Sequence, residues 1–160
     1  MKYLLKIDDG KYVLPRMKGI SLGHALSAAI AWNRIKVVGF LLKMNDSGTY
    51  VLPGMKSVDF NQVLRHVIQS SRIEIARFLL KMEDGKYVLP GMECVDLTRA
   101  LSGAIEDGSS EIVNFLLSQA DNGYLLPGVK VTDDMLTIPD IGLEMRKLLE
   151  VHLEQRPIDV

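Results

Sequence analysis

The strongest constraint on this chain is that it copies itself. The segment Leu80-Lys-Met-Glu-Asp-Gly-Lys-Tyr-Val-Leu-Pro-Gly-Met92 has relatives that begin at Leu5, Leu42 and Leu117. Tyr recurs at 12, 50, 87 and 124 and Pro at 15, 53, 90 and 127, so both return after 38, 37 and 37 positions. A period of that length marks a repeat architecture, in which each unit is one supersecondary element that buries its apolar face only against its neighbours.

Between the copied segments the apolar residues keep helical spacing. Leu22, Leu26, Ala29 and Ile30 form one stripe, and Ile35, Val38, Leu41 and Leu42 form a second after a tight turn near Trp32-Asn33. The next unit repeats the pair with Phe60, Leu64, Val67 and Ile68, then Ile73, Ile75, Phe78, Leu79 and Leu80. The third does so with Leu97, Leu101, Ala104 and Ile105, then Ile112, Val113, Phe115, Leu116 and Leu117. Asp59 and Asp96 stand where an N-cap accepts backbone N–H bonds, and Gly108-Ser109-Ser110-Glu111 reads as turn, cap and first-turn acid.

In the loops, Gly85 and its counterparts Gly10, Gly48 and Gly123 suit a helix-ending position with positive φ. Tyr-Val-Leu reads as a short extended run, and Pro90-Gly91 as the centre of a type II turn, repeated at 53–54 and 127–128. Pro15-Arg16 predicts a type I turn in the first copy. Stacked units would bring the Tyr-Val-Leu runs side by side as a narrow β-structured edge. The expected organisation is one domain over 1–160. It comprises an N-terminal half-repeat cap (1–19), repeats at 20–57, 58–94 and 95–128, and a C-terminal cap (129–160). In that cap a turn at Asp133–Ile138 precedes a helix from about Asp140 to Gln155, with Ile141, Met145, Leu148, Leu149 and Leu153 inward, and 156–160 frays.

Composition excludes several classes. With 48% apolar and 24% charged residues the chain can build a core, and no apolar run approaches the ~18 residues of a membrane span. The N-terminus lacks the pattern of a secretory signal, and the single Cys94 has no internal disulfide partner, as expected in a cytosol. A net charge of −1 offers nothing global to nucleic acid or anionic lipid. The charge is unevenly spread: residues 1–80 hold 12 Lys/Arg and 5 Asp/Glu, and residues 81–160 hold 7 and 15. That division suits steering of a dipolar partner or head-to-tail self-association.

No reaction is legible. His24, His66 and His152 lie at non-equivalent positions outside any metal-ligand spacing. Cys94 shares its loop slot with Gly19, Ser57 and Val131 and has no base nearby in sequence. The acid pairs Asp8-Asp9, Glu83-Asp84, Glu106-Asp107 and Asp133-Asp134 fall in turns or at helix ends, and no glycine-rich phosphate loop is present. These readings predict neither enzyme nor cofactor nor metal.

The helix pairs resemble the ankyrin repeat. Leu101-Ser-Gly-Ala104-Ile-Glu-Asp-Gly108-Ser-Ser-Glu111-Ile-Val-Asn-Phe-Leu-Leu117 is similar to the family's Leu-His-x-Ala-Ala-x-x-Gly-His-x-Glu-Ile-Val-x-x-Leu-Leu, with the same leucine-to-double-leucine spacing. The likeness covers about residues 20–119. The family's Thr-Pro-Leu-His start is replaced by His24-Ala-Leu-Ser27, Gln62-Val-Leu-Arg65 and Arg99-Ala-Leu-Ser102, and the period exceeds the family's ~33 because the loops are longer. The resemblance implies a mainly all-α, ankyrin-like helix-pair solenoid with β-hairpin-like loops.

It also implies where a partner binds: on the concave face formed by the loop tip and the exposed side and end of each first helix. Those slots hold Trp32, Asn61, Arg65, Gln69, Thr98, Glu106 and Asp107. Residues that repeat are explained by packing, so the residues that vary carry the recognition. Trp32, the only Trp, stands where its equivalents are Ser70 and Asp107, and Arg65, Gln69 and Glu106 are expected to flank it along one groove. The leading expectation is a non-enzymatic module that binds a protein partner in a cytosol, its own cell's or a host's if the chain is a secreted bacterial effector. The alternative is a self-associating structural protein, joined through the N-terminal half-repeat or the charge-opposed regions. Either way the chain is expected to be a monomer or a weak homo-oligomer, with no nucleic acid and no membrane partner.

Overall fold

The computed structural model describes residues 21–118, 126 and 129–154, with the backbone of 7–8 and 11–12. The chain forms two compact units, one from residues 1–67 and 74–95 and the other from residues 68–73 and 96–160. Both are mainly helical.

Three helix pairs occupy the predicted stripes: α1 (Leu22–Ala31) with α2 (Ile35–Leu41), α3 (Phe60–Gln69) with α4 (Ile73–Leu79), and α5 (Leu97–Glu106) with α6 (Ser110–Leu117). Each first helix begins at a side-chain cap. Ser21 Oγ accepts from His24 N at 3.3 Å, Asp59 Oδ1 from Asn61 N at 2.9 Å, and Asp96 Oδ1 from Arg99 N at 2.9 Å. Each first helix also ends at a residue of left-handed conformation: Asn33 (φ 50°), Ser71 (φ 50°) and Gly108 (φ 65°).

In the first and third pairs the hydrogen bonds complete a Schellman motif. Asn33 N donates to Ile30 O (2.9 Å) and Arg34 N to Ala29 O (2.7 Å); Gly108 N donates to Ile105 O (3.0 Å) and Ser109 N to Ala104 O (2.9 Å). The chain therefore reverses within two residues, and the second helix packs back on the first. Ser109 stands at the start of α6, but its Oγ makes no cap bond and lies 3.3 Å from Ser71 Oγ instead.

In the first unit the cores of the two helix pairs meet the loops. Leu26, Ile30, Val38, Leu41, Leu64, Val67, Ile75 and Leu79 are buried, and so are the loop residues Leu52, Met55, Leu89 and Met92. The type II turns form as predicted. Gly54 (φ 94°) and Gly91 (φ 91°) take the left-handed third position, while Met55 N donates to Leu52 O (3.2 Å) and Met92 N to Leu89 O (3.3 Å). Each turn runs into one turn of 3-10 helix, Met55–Ser57 and Met92–Cys94, which swings the chain toward the next capped helix.

Two loop expectations are corrected. Gly85 does not end a helix: α4 stops at Leu79, and Gly85 (φ 74°) with Asp84 (φ 50°) makes a two-residue turn between β3 (Met82–Glu83) and β4 (Lys86–Tyr87). Positive φ at both central residues is the type I′ geometry that matches strand twist. Among the described residues the tyrosine runs build no shared edge, because the strands of Tyr12, Tyr50 and Tyr87 each pair inside their own loop. β1 (Ile7–Asp8) pairs with β2 (Lys11–Tyr12), β3 pairs with β4, and Met44 bridges Tyr50. The adjacent strand is only a few residues away in sequence, so closing the local hairpin costs far less entropy than pairing across a repeat.

In the second unit, buried Leu97, Leu101, Ile105, Ile112, Leu116 and Leu117 line the α5–α6 pair. The predicted turn is a 3-10 helix, Asp133–Thr137, and the last helix, α7, spans Leu143–Glu154, starting three residues later than expected. Met145 and Leu149 are buried, whereas Ile141, Leu148 and Leu153 are half-buried. The turn at Pro15-Arg16, Gly10, Gly123, Tyr124, Pro127-Gly128 and the fraying 156–160 lie outside the described residues. Among the described residues no helix is long and apolar enough to cross a membrane.

Candidate functional site

Two open concavities lie among the described residues of the first unit. One, about 490 Å³, lies where the capped start of α1 (Ser21–His24, with Ser27) faces the Pro53-Gly54 turn, Ser57 and the start of α3 at Asp59, Gln62 and Val63. The other, about 420 Å³, lies between the first loop (Gly48–Tyr50, Met55, Lys56), the start of α3 (Phe60, Asn61) and the second type II turn with Cys94. Val58 and Asp59 line both, so the concavities meet at the N-terminus of α3. Loop tips and the capped ends of first helices thus form the walls.

The second concavity has a rigid aromatic lining. Tyr50 and Phe60 stack with centroids 6.1 Å apart and planes 24° apart, and Tyr50 Oη donates to Pro90 O at 2.8 Å, tying one loop to the next. Burial, helped by the negative charge of Glu93, pushes the Tyr50 phenol up to about 12. Burial does the same to Tyr87. Glu93 accepts from Gly91 N at 2.9 Å. Asp59 spends its carboxylate on the N-cap, accepting from Asn61 N and, at 3.4 Å, Gln62 N, so it presents little unsatisfied charge to a ligand.

The predicted contact residues are distributed as follows. Asn61 lines the second concavity. Arg65 and Gln69 are exposed farther along α3, beyond either concavity's lining. Trp32 caps the far end of α1, roughly 16 Å along the helix from Ser21, and is 75% exposed. Trp32 lines neither concavity. Glu106 and Asp107 are exposed at the end of α5, and Thr98 is half-buried, its Oγ1 accepting from Lys130 N at 3.2 Å.

One functional group escaped the sequence reading. His152, near the end of α7, sets Nδ1 2.9 Å from Leu148 O of its own helix and Nε2 3.1 Å from Leu117 O, joining α7 to the last carbonyl of α6. No motif signals this, because the partner atoms are backbone. His24 is exposed and His66 half-buried. Among the described residues no group of three or more His, Cys, Asp or Glu is placed to hold a metal ion. Comparison with protein-family models, with curated proteins and with solved structures finds no match for this chain.

Proposed function

We propose that this chain is an ankyrin-type interaction module, a stack of helix pairs that binds a protein partner through its loop tips and first helices and catalyses no reaction. The observation that carries this reading is the position of the two joined concavities. Their walls are the type II turns and the capped starts of α1 and α3, and they include Asn61, one of the slots that the ankyrin resemblance assigns to recognition. Openness suits an extended polypeptide better than a small substrate, which binds in pockets that enclose most of its surface. Arg65 extends the surface along α3; Gln69, Thr98, Glu106 and Asp107 are proposed contacts of the second unit in their own right, and exposed Trp32 is a separate aromatic contact of the first. The absence of a long apolar helix among the described residues accords with action in a cytosol.

The test is capture of partners by the wild type and by variants altered at two separate places. Asn61→Arg fills the second concavity and Arg65→Ala strips the adjoining cation. Loss of about 2 kcal/mol or more of binding in either, with unfolding midpoints unchanged, is the expected result. A captured protein that ignores both substitutions removes the surface.

A further inference from the structure

His152 sits where two helices end. It lies half-buried in the last turn of α7, and its Nε2 reaches the carbonyl of Leu117, the last residue of α6. That carbonyl needs a donor from elsewhere, because the final four C=O groups of a helix have no partner inside it. The other ring nitrogen, Nδ1, faces the Leu148 carbonyl one turn back on α7. At 3.1 and 2.9 Å, both contacts have hydrogen-bond length.

Protonation decides whether both can be hydrogen bonds. A carbonyl oxygen only accepts, and a neutral imidazole has one N–H and one lone pair, so in either tautomer one of the two carbonyls would face a lone pair. Only the imidazolium donates from both nitrogens. Electrostatics point the same way, since the C-terminal ends of α6 and α7 both turn the negative pole of a helix dipole toward the ring. The ionisable side chains of the elements that meet here add a surplus of acid. α6 holds Glu111 in its first turn, and the 3-10 helix packed against α7 holds Asp133 and Asp134, with Lys130 before it and Asp140 after it. The sequence of α7 adds Glu144, Arg146, Lys147, Glu150 and Glu154.

We infer that His152 is a proton-operated latch: as the imidazolium it clips α7 to the end of α6, and loss of its proton leaves one carbonyl unanswered and loosens the helix. The latch does not depend on the chain's being an interaction module. A side chain whose charged form gains partners on folding lends stability that is complete at the acid end and is lost as the proton leaves. The latch is therefore closed in mild acid and loosens as the pH rises through about 5–8, where imidazoles change charge. Met145 and Leu149 are buried on α7, so its loosening uncovers apolar surface in the second unit while the other helices stay folded.

Urea unfolding at about pH 5.5 and about pH 8 compares the wild type with His152→Gln, whose amide still donates but carries no charge at either pH. The ratio of folding constants, wild type over variant, should be about tenfold higher at the acid pH, the difference between a charge-assisted and a neutral bond. Taking the ratio cancels the titration of His24, His66 and the carboxylates. Hydrogen exchange on the wild type needs no variant to fold. Corrected for the intrinsic pH dependence of exchange, protection of the α7 amides should fall about tenfold between the same two pH values, while that of α3 and α5 stays level.

A ratio that is equal at both pH values overturns the inference, as does α7 protection that does not fall. A ring ¹⁵N spectrum of the wild type at the acid pH that shows one bare nitrogen on His152 also overturns it.

Discussion

The two described loops of the first unit, 43–57 and 81–94, share one frame from the Lys after the double leucine to the Leu-Pro-Gly-Met turn and differ in length only at their tips. In both, a Val N–H donates back to the Lys that follows the double leucine, Val51 to Lys43 O at 2.9 Å and Val88 to Lys81 O at 3.0 Å. Both then enter the same Leu-Pro-Gly-Met turn. Between those fixed points the second loop closes over the two residues Asp84-Gly85, whereas the first has one residue more. Its tip is a three-residue connection, with Gly48 N donating to Asn45 O (3.0 Å), Gly48 left-handed at φ 70°, and Asn45 N donating to Thr49 O (2.9 Å). That is the type I turn with a following left-handed residue that three-residue hairpins adopt. Asn45 Oδ1 supports it by accepting from Ser47 N, Thr49 N and Thr49 Oγ1 at 3.0–3.1 Å.

The extra residue accounts for the single spacing of 38 among spacings of 37. It also separates what the repeat must keep from what it can vary. The tips are solvated and absorb an insertion, while the buried Leu, Met and Pro-Gly elements hold the register of the following helix.

The largest effect should come from the shared anchors. Met55→Ala and Met92→Ala, at residues 0% and 1% exposed, should each cost about 2–5 kcal/mol by denaturant unfolding. Costs that differed strongly would break the equivalence of the loops. Next come the turn glycines. A Cβ on Gly91 would sit 3.3 Å from Phe60 Cδ2 in a backbone at φ 91°, whereas on Gly54 the nearest atom is Leu22 Cδ1 at 3.7 Å. Gly91→Ala should therefore cost about 1–3 kcal/mol and Gly54→Ala somewhat less, since only the first adds crowding to the backbone strain.

Tyr50→Phe removes the bond to Pro90 O and should cost about 1 kcal/mol. The same phenol gives a pH signature. Tyr50 and Tyr87 are raised from 10.0 to about 12 in the folded chain. Their contribution is complete below pH 10 and is lost as pH climbs from about 10 to about 12. Spectrophotometric titration of phenolate should show these two ionising late, and Tyr50→Phe should reduce the late phase. Deleting Ser47, which leaves Asn-Asp-Gly-Thr in the pattern of Glu-Asp-Gly-Lys, should change stability by less than about 1 kcal/mol. The smallest effect belongs to Lys81→Ala: the Lys81–Glu83 pair is close at 2.8 Å but 59% and 64% exposed, so removing it should shift the midpoint by less than about 0.5 kcal/mol.

Much of the fold was legible because the repeat allowed each unit to be read against the others. The helix stripes, the caps Asp59 and Asp96, and the Pro-Gly turns at 53–54 and 90–91 all follow from local rules that the described copies obey together. The tip hairpins were misread because a glycine with positive φ serves a helix end and a type I′ turn equally well. Only the distance from Leu79 to Gly85 separates the two, and it becomes decisive once the end of α4 is known. The candidate surface was legible in outline. First-helix slots such as Asn61 could be named from the resemblance, but the lining of the concavities by Tyr50, Phe60 and the next loop's Pro90 could not. Those contacts join residues 10 to 40 positions apart, and residue spacing carries no signal for a bond from a phenol to a backbone carbonyl.

By itself the sequence determined the element types, their period and the positions where each helix is capped. Those depend on interactions within a few residues, which recur wherever the same residues recur. Tertiary structure decided which equivalent positions differ in use. Trp32 stands out in water beyond either concavity, Tyr50 is locked to the neighbouring loop, and His152 fastens α7 by its inner side. The physical reason is that exposure and long-range hydrogen bonding depend on which neighbours arrive in space, and a side chain's identity does not name its neighbours.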